Sequence, residues 1–560
     1  MTALASIPGR AGIRGRGAWA ALALLLLVGA VLLLYVGRDT SFFFDEWDFV
    51  QGRRGWTVDS LLNPHNEHLS LVPVLLYKVI FATAGIESYV PFRVALTLVH
   101  LLVCALLFVY ARRRVGDVLA LAAVAIVLFL GPSWPDVLWP FQTGFLGSLA
   151  AGLAALLALD RADRRGDIAA TALLTVSLAC SSIGLPIFAA AALELLGRPD
   201  RRRRWFVVAV PAALYALWYV AYGGGGSMTV DNLLSTPKYV AEAAAGAVGA
   251  VSGLGTTWGR SLAVGLVVAL VLALRRGVVD PWRLAALIAL PLVFWGLTGL
   301  ARAGLREPAA PRYLYPGALF LLLIAVEAAR GIEVPRPAVA ALLVVVALVT
   351  LANVGALRNG GGYLRDQTED LDGSLAAITL AAPGSLPPGF QPEPEIAPQV
   401  RAKAYLDAVE DLGSPAPTAA QLPRLFQRGR AAADATLTRA YGVGLAPAAG
   451  RAGGAAPTPE RAVGATVTAR GACLSARLQA PGGLVELAVP PQGLLLRSDG
   501  GTATVAVRRF SDTFPQTTVG KVLAGSAAVV LRIPGDSSTA PWHTRLELTG
   551  PVRVCAPAPA

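Results

Sequence analysis

Charged side chains are scarce in this chain. Asp, Glu, Lys and Arg make up 15% of its 560 residues, 55% are hydrophobic, and the mean hydropathy is +0.58. That balance excludes an ordinary soluble globular protein and indicates a polytopic membrane protein. The formal net charge of +12 is not a nucleic-acid footprint, because the arginines fall in short clusters between apolar runs, as they do in cytoplasmic loops. The first apolar run lacks an A-x-A-like cleavage site, so it is expected to remain as a membrane span. The apolar runs carry almost no Asp, Glu or Lys and show no internal repeat, which argues against a transporter or lipid flippase.

Runs of roughly 15 to 22 apolar residues, the length a hydrocarbon core demands, occur at 18–37, 91–110, 117–133, 139–159, 167–182, 183–197, 205–222, 256–275, 283–301, 313–330 and 337–356. These predict about eleven transmembrane helices. "SSIGLP" separates 167–182 from 183–197, which are either two spans or one kinked span. Basic residues occupy alternate connections: Arg10, Arg14 and Arg16; Arg112 to Arg114; Arg161, Arg164 and Arg165; Arg201 to Arg204; Arg275 and Arg276; Arg330 and Arg336. The alternation places the N-terminus in the cytoplasm, provided 69–85 lies at the outer interface without crossing, with Tyr77 and Lys78 reaching toward headgroups.

The predicted organisation is a cytoplasmic N-terminus (1–17), a transmembrane domain (18–356) with a large outer loop (38–90), and an extracytoplasmic linker with short helices (357–457). A β-sandwich (458–560) follows, expected to grip envelope carbohydrate, all in a multi-pass protein of the plasma (inner) membrane. Runs such as "GLVELAVPP" and "TATVAVRRF", punctuated by turn residues, carry the sandwich prediction. The loop 223–239 is expected on the outer face. Cys473 and Cys555 lie near the two ends of the β region on the oxidising side, which predicts a disulfide; Cys104 and Cys180 fall in spans and read as packing.

Directly after the first span stands "SFFFDEWDFV", with Asp45, Glu46 and Asp48 among five aromatic residues. Acids tight against a membrane span are costly unless used. An acidic pair in this place, followed by an interfacial segment and a many-helix bundle, resembles the GT-C superfamily of glycosyltransferases that use lipid-phosphate sugars. The "FDE" string is similar to the protein O-mannosyltransferase branch. The C-terminal β-domain is more like that of the actinobacterial envelope arabinosyl- and mannosyltransferases, and "PRYLYP" (311–316) matches an Arg-Tyr pair common at the outer mouth of a late helix. "NPHNEHLSLVP" (63–73) departs from the pattern. The resemblance covers roughly residues 18 to 356. It implies a GT-C-like bundle that moves a hexosyl or pentosyl unit from a polyprenyl-phosphate donor to an envelope polysaccharide or protein.

Such a transfer needs a base for the acceptor proton and cations for the departing phosphate. Asp45 is the expected base, with Glu46 beside it; Asp48 orients the acceptor or binds a divalent ion. "NPHNEH" holds His65, Asn66, Glu67 and His68, with the two histidines and the glutamate close enough to share one helical turn. Either they contact the acceptor, or His68 joins Asp45 and Glu46 around Mg or Mn. Arg302, Arg306 and Arg312, with Tyr313 or Tyr315, form the expected phosphate site, the alternative being anionic headgroups. Trp134, Asp136, Trp139 and Gln142 either line the acceptor groove or anchor an aromatic belt. The competing function is a non-catalytic envelope scaffold or a transporter of lipid-linked glycan.

Overall fold

The computed structural model describes residues 15–224, 228–275, 280–305, 307–381, 386–387, 389–448 and 451–558. The expected cytoplasmic segment 1–17 thus lies outside the described residues except for its last three positions. Each predicted apolar run lies in a helix. Among the described residues, eight helices are long and apolar enough to cross a membrane: Gly15–Val36, Val90–Val115, Pro140–Leu159, Arg201–Tyr222, Gly255–Arg275, Pro281–Arg302, Pro311–Ala328 and Arg336–Ile378. A ninth is added if Asp117–Leu128 and Gly131–Leu138, bent by 43°, form one broken span. The break at "SSIGLP" separates two short helices, Arg164–Cys180 and Gly184–Leu196.

The chain packs as two units. The first comprises Met1–Thr40, Arg53–Ala84 and Tyr89–Leu364; the second comprises Ser41–Gly52, Gly85–Ser88 and Arg365–Ala560. The acidic stretch of the long outer loop thus groups with residues 365–560. The last long helix is also longer than its apolar run, continuing from Arg336 to Ile378. At 1.5 Å per residue it spans about 65 Å, twice the hydrocarbon thickness, so its polar half extends beyond a membrane.

Two features of the first unit correct the sequence reading. Part of the segment expected as an outer loop at 223–239 belongs to a 23-residue helix, Val230–Ser252. Thr229 caps it by accepting from the Asn232 N–H at 3.1 Å, and Gly253 closes it at φ 71°. The sequence GGGG and Pro237 suggested a loop, but the Ala-rich remainder propagates the helix. It packs on Gly255–Arg275 through small residues: a Cβ on Gly259 would stand 2.0 Å from the Ala245 carbonyl oxygen, and one on Gly249 2.3 Å from that of Gly255. Close approach through small residues is how helices associate where lipid removes the hydrophobic incentive.

The second feature is a buried ionic network at the Arg-rich ends of the helices. Arg114 pairs with Glu327 at 2.5 Å and Asp160 at 3.1 Å, and Arg283 pairs with Asp160 at 2.7 Å and Glu194 at 2.8 Å. Arg204 and Asp167 form a separate buried pair at 2.6 Å. Two arginines that read as loop charges, Arg114 and Arg204, are thus interior ties, since an unpartnered buried ion would cost several kcal/mol.

The second unit contains a sandwich of antiparallel strands: β1 (Leu445–Pro447), β2 (Pro459–Val463), β3 (Ala465–Arg470), β4 (Cys473–Leu478), β5 (Leu484–Val489), β6 (Leu494–Ser498), β7 (Ala503–Arg508), β8 (Gly520–Val522), β9 (Val529–Leu531), β10 (Trp542–Leu548) and β11 (Val552–Cys555). One sheet has the order β1-β9-β6-β11-β4-β3 and the other β2-β5-β10-β7-β8. Inward-facing residues such as Leu474, Ala476, Leu496, Val485, Leu487, Val505, Leu546 and Val554 fill the core. Cys473 and Cys555 are directly opposed on β4 and β11 and form a disulfide.

The helices before the sandwich are not a linker. Ala376, Ala377, Leu380, Leu422, Ala433 and Leu437 belong to the same core. From helix Gln427–Ala440, the buried carboxylate of Asp434 accepts from the backbone N–H groups of Arg509, Phe510 and Ser511 at 2.8 to 3.0 Å, and from the Ser511 hydroxyl at 2.6 Å. Asp434→Ala strands three buried donors at about 1–3 kcal/mol each. The purified full-length protein should then lose protease resistance in the 459–555 region at a markedly lower temperature. An unchanged profile would show that the sandwich stands without this helix.

Candidate functional site

In the second unit, Ser41–Gly52 is a tight turn leading into the short helix Glu46–Gly52. Phe44 takes the left-handed conformation at φ 48°, which reverses the chain so that the N–H groups of Glu46, Trp47 and Asp48 bond back to Phe43, Phe44 and Asp45. Glu46 closes the turn from the other direction: its Oε2 accepts from the Phe43 N–H at 2.9 Å, and its side chain is fully buried. Asp45 is almost as buried, and its Oδ1 accepts from the Gln399 side-chain amide at 3.2 Å. Asp48 is half-buried.

The surroundings of these acids come from far along the chain. Trp47 sits edge-on to Tyr405 at 5.7 Å and tilted against Phe42 at 5.6 Å. Gln51 donates to the carbonyls of Trp47 and Gln399 and accepts from the Arg401 N–H at 3.1 Å. The Ser41 N–H donates to Thr368 Oγ1 at 3.0 Å. Residues 368, 399, 401 and 405 carried no sequence signal that tied them to "FFFDEWDF".

In the first unit, the "NPHNEH" segment does not form a helical turn. His65 and His68 exchange both backbone hydrogen bonds, at 3.0 and 2.9 Å, with Asn66 at φ 47° and Glu67 at φ 71° between them. Two consecutive left-handed residues make this a type I′ turn, a conformation that Asn accepts readily and Glu does not. Its side chains cannot line one helical face.

The turn meets the second outer segment. The His65 ring lies edge-on to Phe141 at 5.1 Å, Phe141 stacks on Trp139 at 5.1 Å, and the Arg312 guanidinium stands 6.0 Å from the Trp139 ring centre. Trp139 is only 3% exposed and Gln142 1%, which is interior packing rather than an aromatic belt facing lipid. Asp136 is wholly buried, with Oδ2 accepting from the Ser133 hydroxyl at 2.6 Å. Tyr315 shares a 2.8 Å hydrogen bond with His100.

Arg302 ends helix Pro281–Arg302, and Arg312 and Tyr313 lie in the first turn of Pro311–Ala328. Tyr313 is buried against Phe294. Arg306 lies outside the described residues. Desolvation, then the nearby Arg302 guanidinium and His65, push the half-buried His68 down to about 4, so its imidazole is neutral at pH 7.

Lys78 was expected to reach toward headgroups but is only 2% exposed. It donates to the carbonyls of Arg53 and Gly55 and to Ser60 Oγ. Arg53 in turn donates to the carbonyls of Ser60, Asn63 and Pro64 at 2.9 to 3.1 Å. These two cations hold the 53–64 loop in place ahead of the histidine turn.

The chain is similar to the crystal structure of ArnT from Cupriavidus metallidurans bound to undecaprenyl phosphate, with 13% identity and a TM-score of 0.44 over 66% of this chain and 83% of that one. No protein-family model and no curated protein matches.

The depressed His68 value makes a pH prediction. Between about 6.5 and 4 the unfolded chain binds a proton that the folded turn refuses, so stability should fall as pH falls through that window. The unfolding midpoint of the wild type should drop more between pH 7 and 4.5 than that of His68→Gln. Parallel profiles for the two proteins would rule out this contribution.

Proposed function

We propose that this chain is a GT-C-type membrane glycosyltransferase that moves a sugar from a polyprenyl-phosphate donor to an envelope polysaccharide or protein on the extracytoplasmic side. The observation that carries the reading is the seating of Asp45, a buried carboxylate on a strained turn just after the first span, oriented by a neutral amide. A carboxylate so placed is suited to accept a proton. Three acids serving only as a helix cap would not need a scaffold from residues 368 to 405.

In the proposed reaction Asp45 takes the acceptor hydroxyl proton as that oxygen attacks the anomeric carbon. The bond from this carbon to the phosphate oxygen breaks, and the leaving phosphate takes the electron pair. Arg302 and Arg312 are the cations assigned to that phosphate, Arg312 acting with the N-terminal N–H groups of its helix. A neutral His68 adds hydrogen-bonding capacity to this region without adding charge. Glu46 serves to position the turn. Magnesium or manganese is part of the proposal, with Asp45 and Asp48, one turn apart, as ligands that a chelator test would probe.

The purified protein should be assayed for transfer from polyprenyl-phosphate arabinose and polyprenyl-phosphate mannose. Asp45→Asn should lower turnover on the order of a hundred- to ten-thousand-fold while donor binding is retained. Arg312→Lys keeps the charge but loses the forked geometry, so it should weaken donor binding as well as rate. Glu46→Gln, which can still accept from the Phe43 N–H, should lose much less activity than Glu46→Ala. Near-normal transfer by Asp45→Asn would overturn the assignment, and donor movement across vesicles without transfer would favour a transporter.

A further inference from the structure

We infer that the outer face of the six-stranded sheet is a binding surface for an anionic glycan, an inference that rests on the reading that the sandwich faces the cell envelope. Leu474, Ala476, Leu494, Leu496, Val552 and Val554 point into the core, so the alternate residues of β4, β6 and β11 point outward. The backbone register sets these in one row: Thr468 opposite Ser475, Ser475 opposite Arg553, and Arg553 opposite Arg497. Arg477 pairs across with Thr466 in the next row, and Arg470 lies at the end of β3. Four arginines thus project from one face.

The charge on this face is not balanced. Asp499 pairs with Arg553 at 2.6 Å, and strands β3, β4, β6 and β11 contain no acid. Arg497 and Arg553 are directly opposed, and the acid that pairs there, Asp499, sits on Arg553, so an anion beside Arg497 would relieve the remaining like-charge contact. The opposite sheet shows what neutralisation looks like. There Arg545 pairs with Glu486 at 2.9 Å.

The chemistry favours a polymer bearing carboxylate or phosphate groups over a lipid surface. Exposed Thr466 and Thr468 alternate with the guanidinium groups and suit sugar hydroxyls. None of the exposed large hydrophobic side chains lies on β3, β4, β6 or β11, and the outward Leu495 is 8% exposed, so the face offers nothing to insert among acyl chains. A second, weak hold on a charged polymer raises the effective concentration of acceptor at the transfer site.

The test uses the full-length protein in phosphatidylcholine nanodiscs with three probes: polygalacturonate, neutral dextran and phosphatidylglycerol vesicles. Polygalacturonate should bind and be released by salt, while dextran and the vesicles should not bind. The double variant Arg477→Gln, Arg497→Gln alters two exposed side chains and should bind polygalacturonate about tenfold more weakly. Its melting temperature and its transfer to a short soluble acceptor should stay at the wild-type level. Equal binding by variant and wild type, or capture by the vesicles instead of polygalacturonate, would overturn the inference. Loss of the glycosyltransferase reading through Asp45→Asn would leave the result of this binding experiment intact.

Discussion

The carboxylate of Asp45 is held by an amide that lies 354 positions later in the chain. The Gln399 amide donates to this carboxylate at 3.2 Å and so fixes its orientation. The neighbouring elements keep that amide in place: Gln51 bonds the Gln399 carbonyl and the Arg401 N–H, and Tyr405 packs on Trp47. The buried Glu46 spends its carboxylate on the turn that aims Asp45. The two adjacent acids thus have different physical roles although they look equivalent as letters.

The first unit matches buried charge with charge or with several dipoles. Arg114, Arg283 and Arg204 are answered by Glu327, Asp160, Glu194 and Asp167, while Arg53 and Lys78 are answered by backbone carbonyls. Removing one member of such a set leaves the other uncompensated, a larger penalty than the pair's net contribution. These residues stabilise the first unit.

The helices, the strands and the paired cysteines were legible because hydropathy and alternation are local signals. Helix Val230–Ser252 was hidden by a glycine run and Pro237, and the left-handed turn at Asn66 and Glu67 was hidden because Glu rarely takes that conformation. Lys78 read as a snorkelling lysine because a sequence does not show which carbonyls will surround an amine. The partners of Asp45 and Trp47 were illegible for a different reason. Gln399 and Tyr405 stand in a Pro-rich stretch and a short amphipathic helix, and only the fold brings them to the acids.

In the six-stranded sheet, β11 lies between β6 and β4, although it is the most C-terminal strand of the sandwich. A chain made from its N-terminus supplies β3, β4 and β6 well before the strand that joins them. Until 552–555 arrive, the sheet has an open slot with two unsatisfied edges, and Cys473 waits 82 residues for its partner. Synthesis from the N-terminus therefore leaves this domain dependent, until its last segment is made, on whatever guards unpaired strands and free thiols.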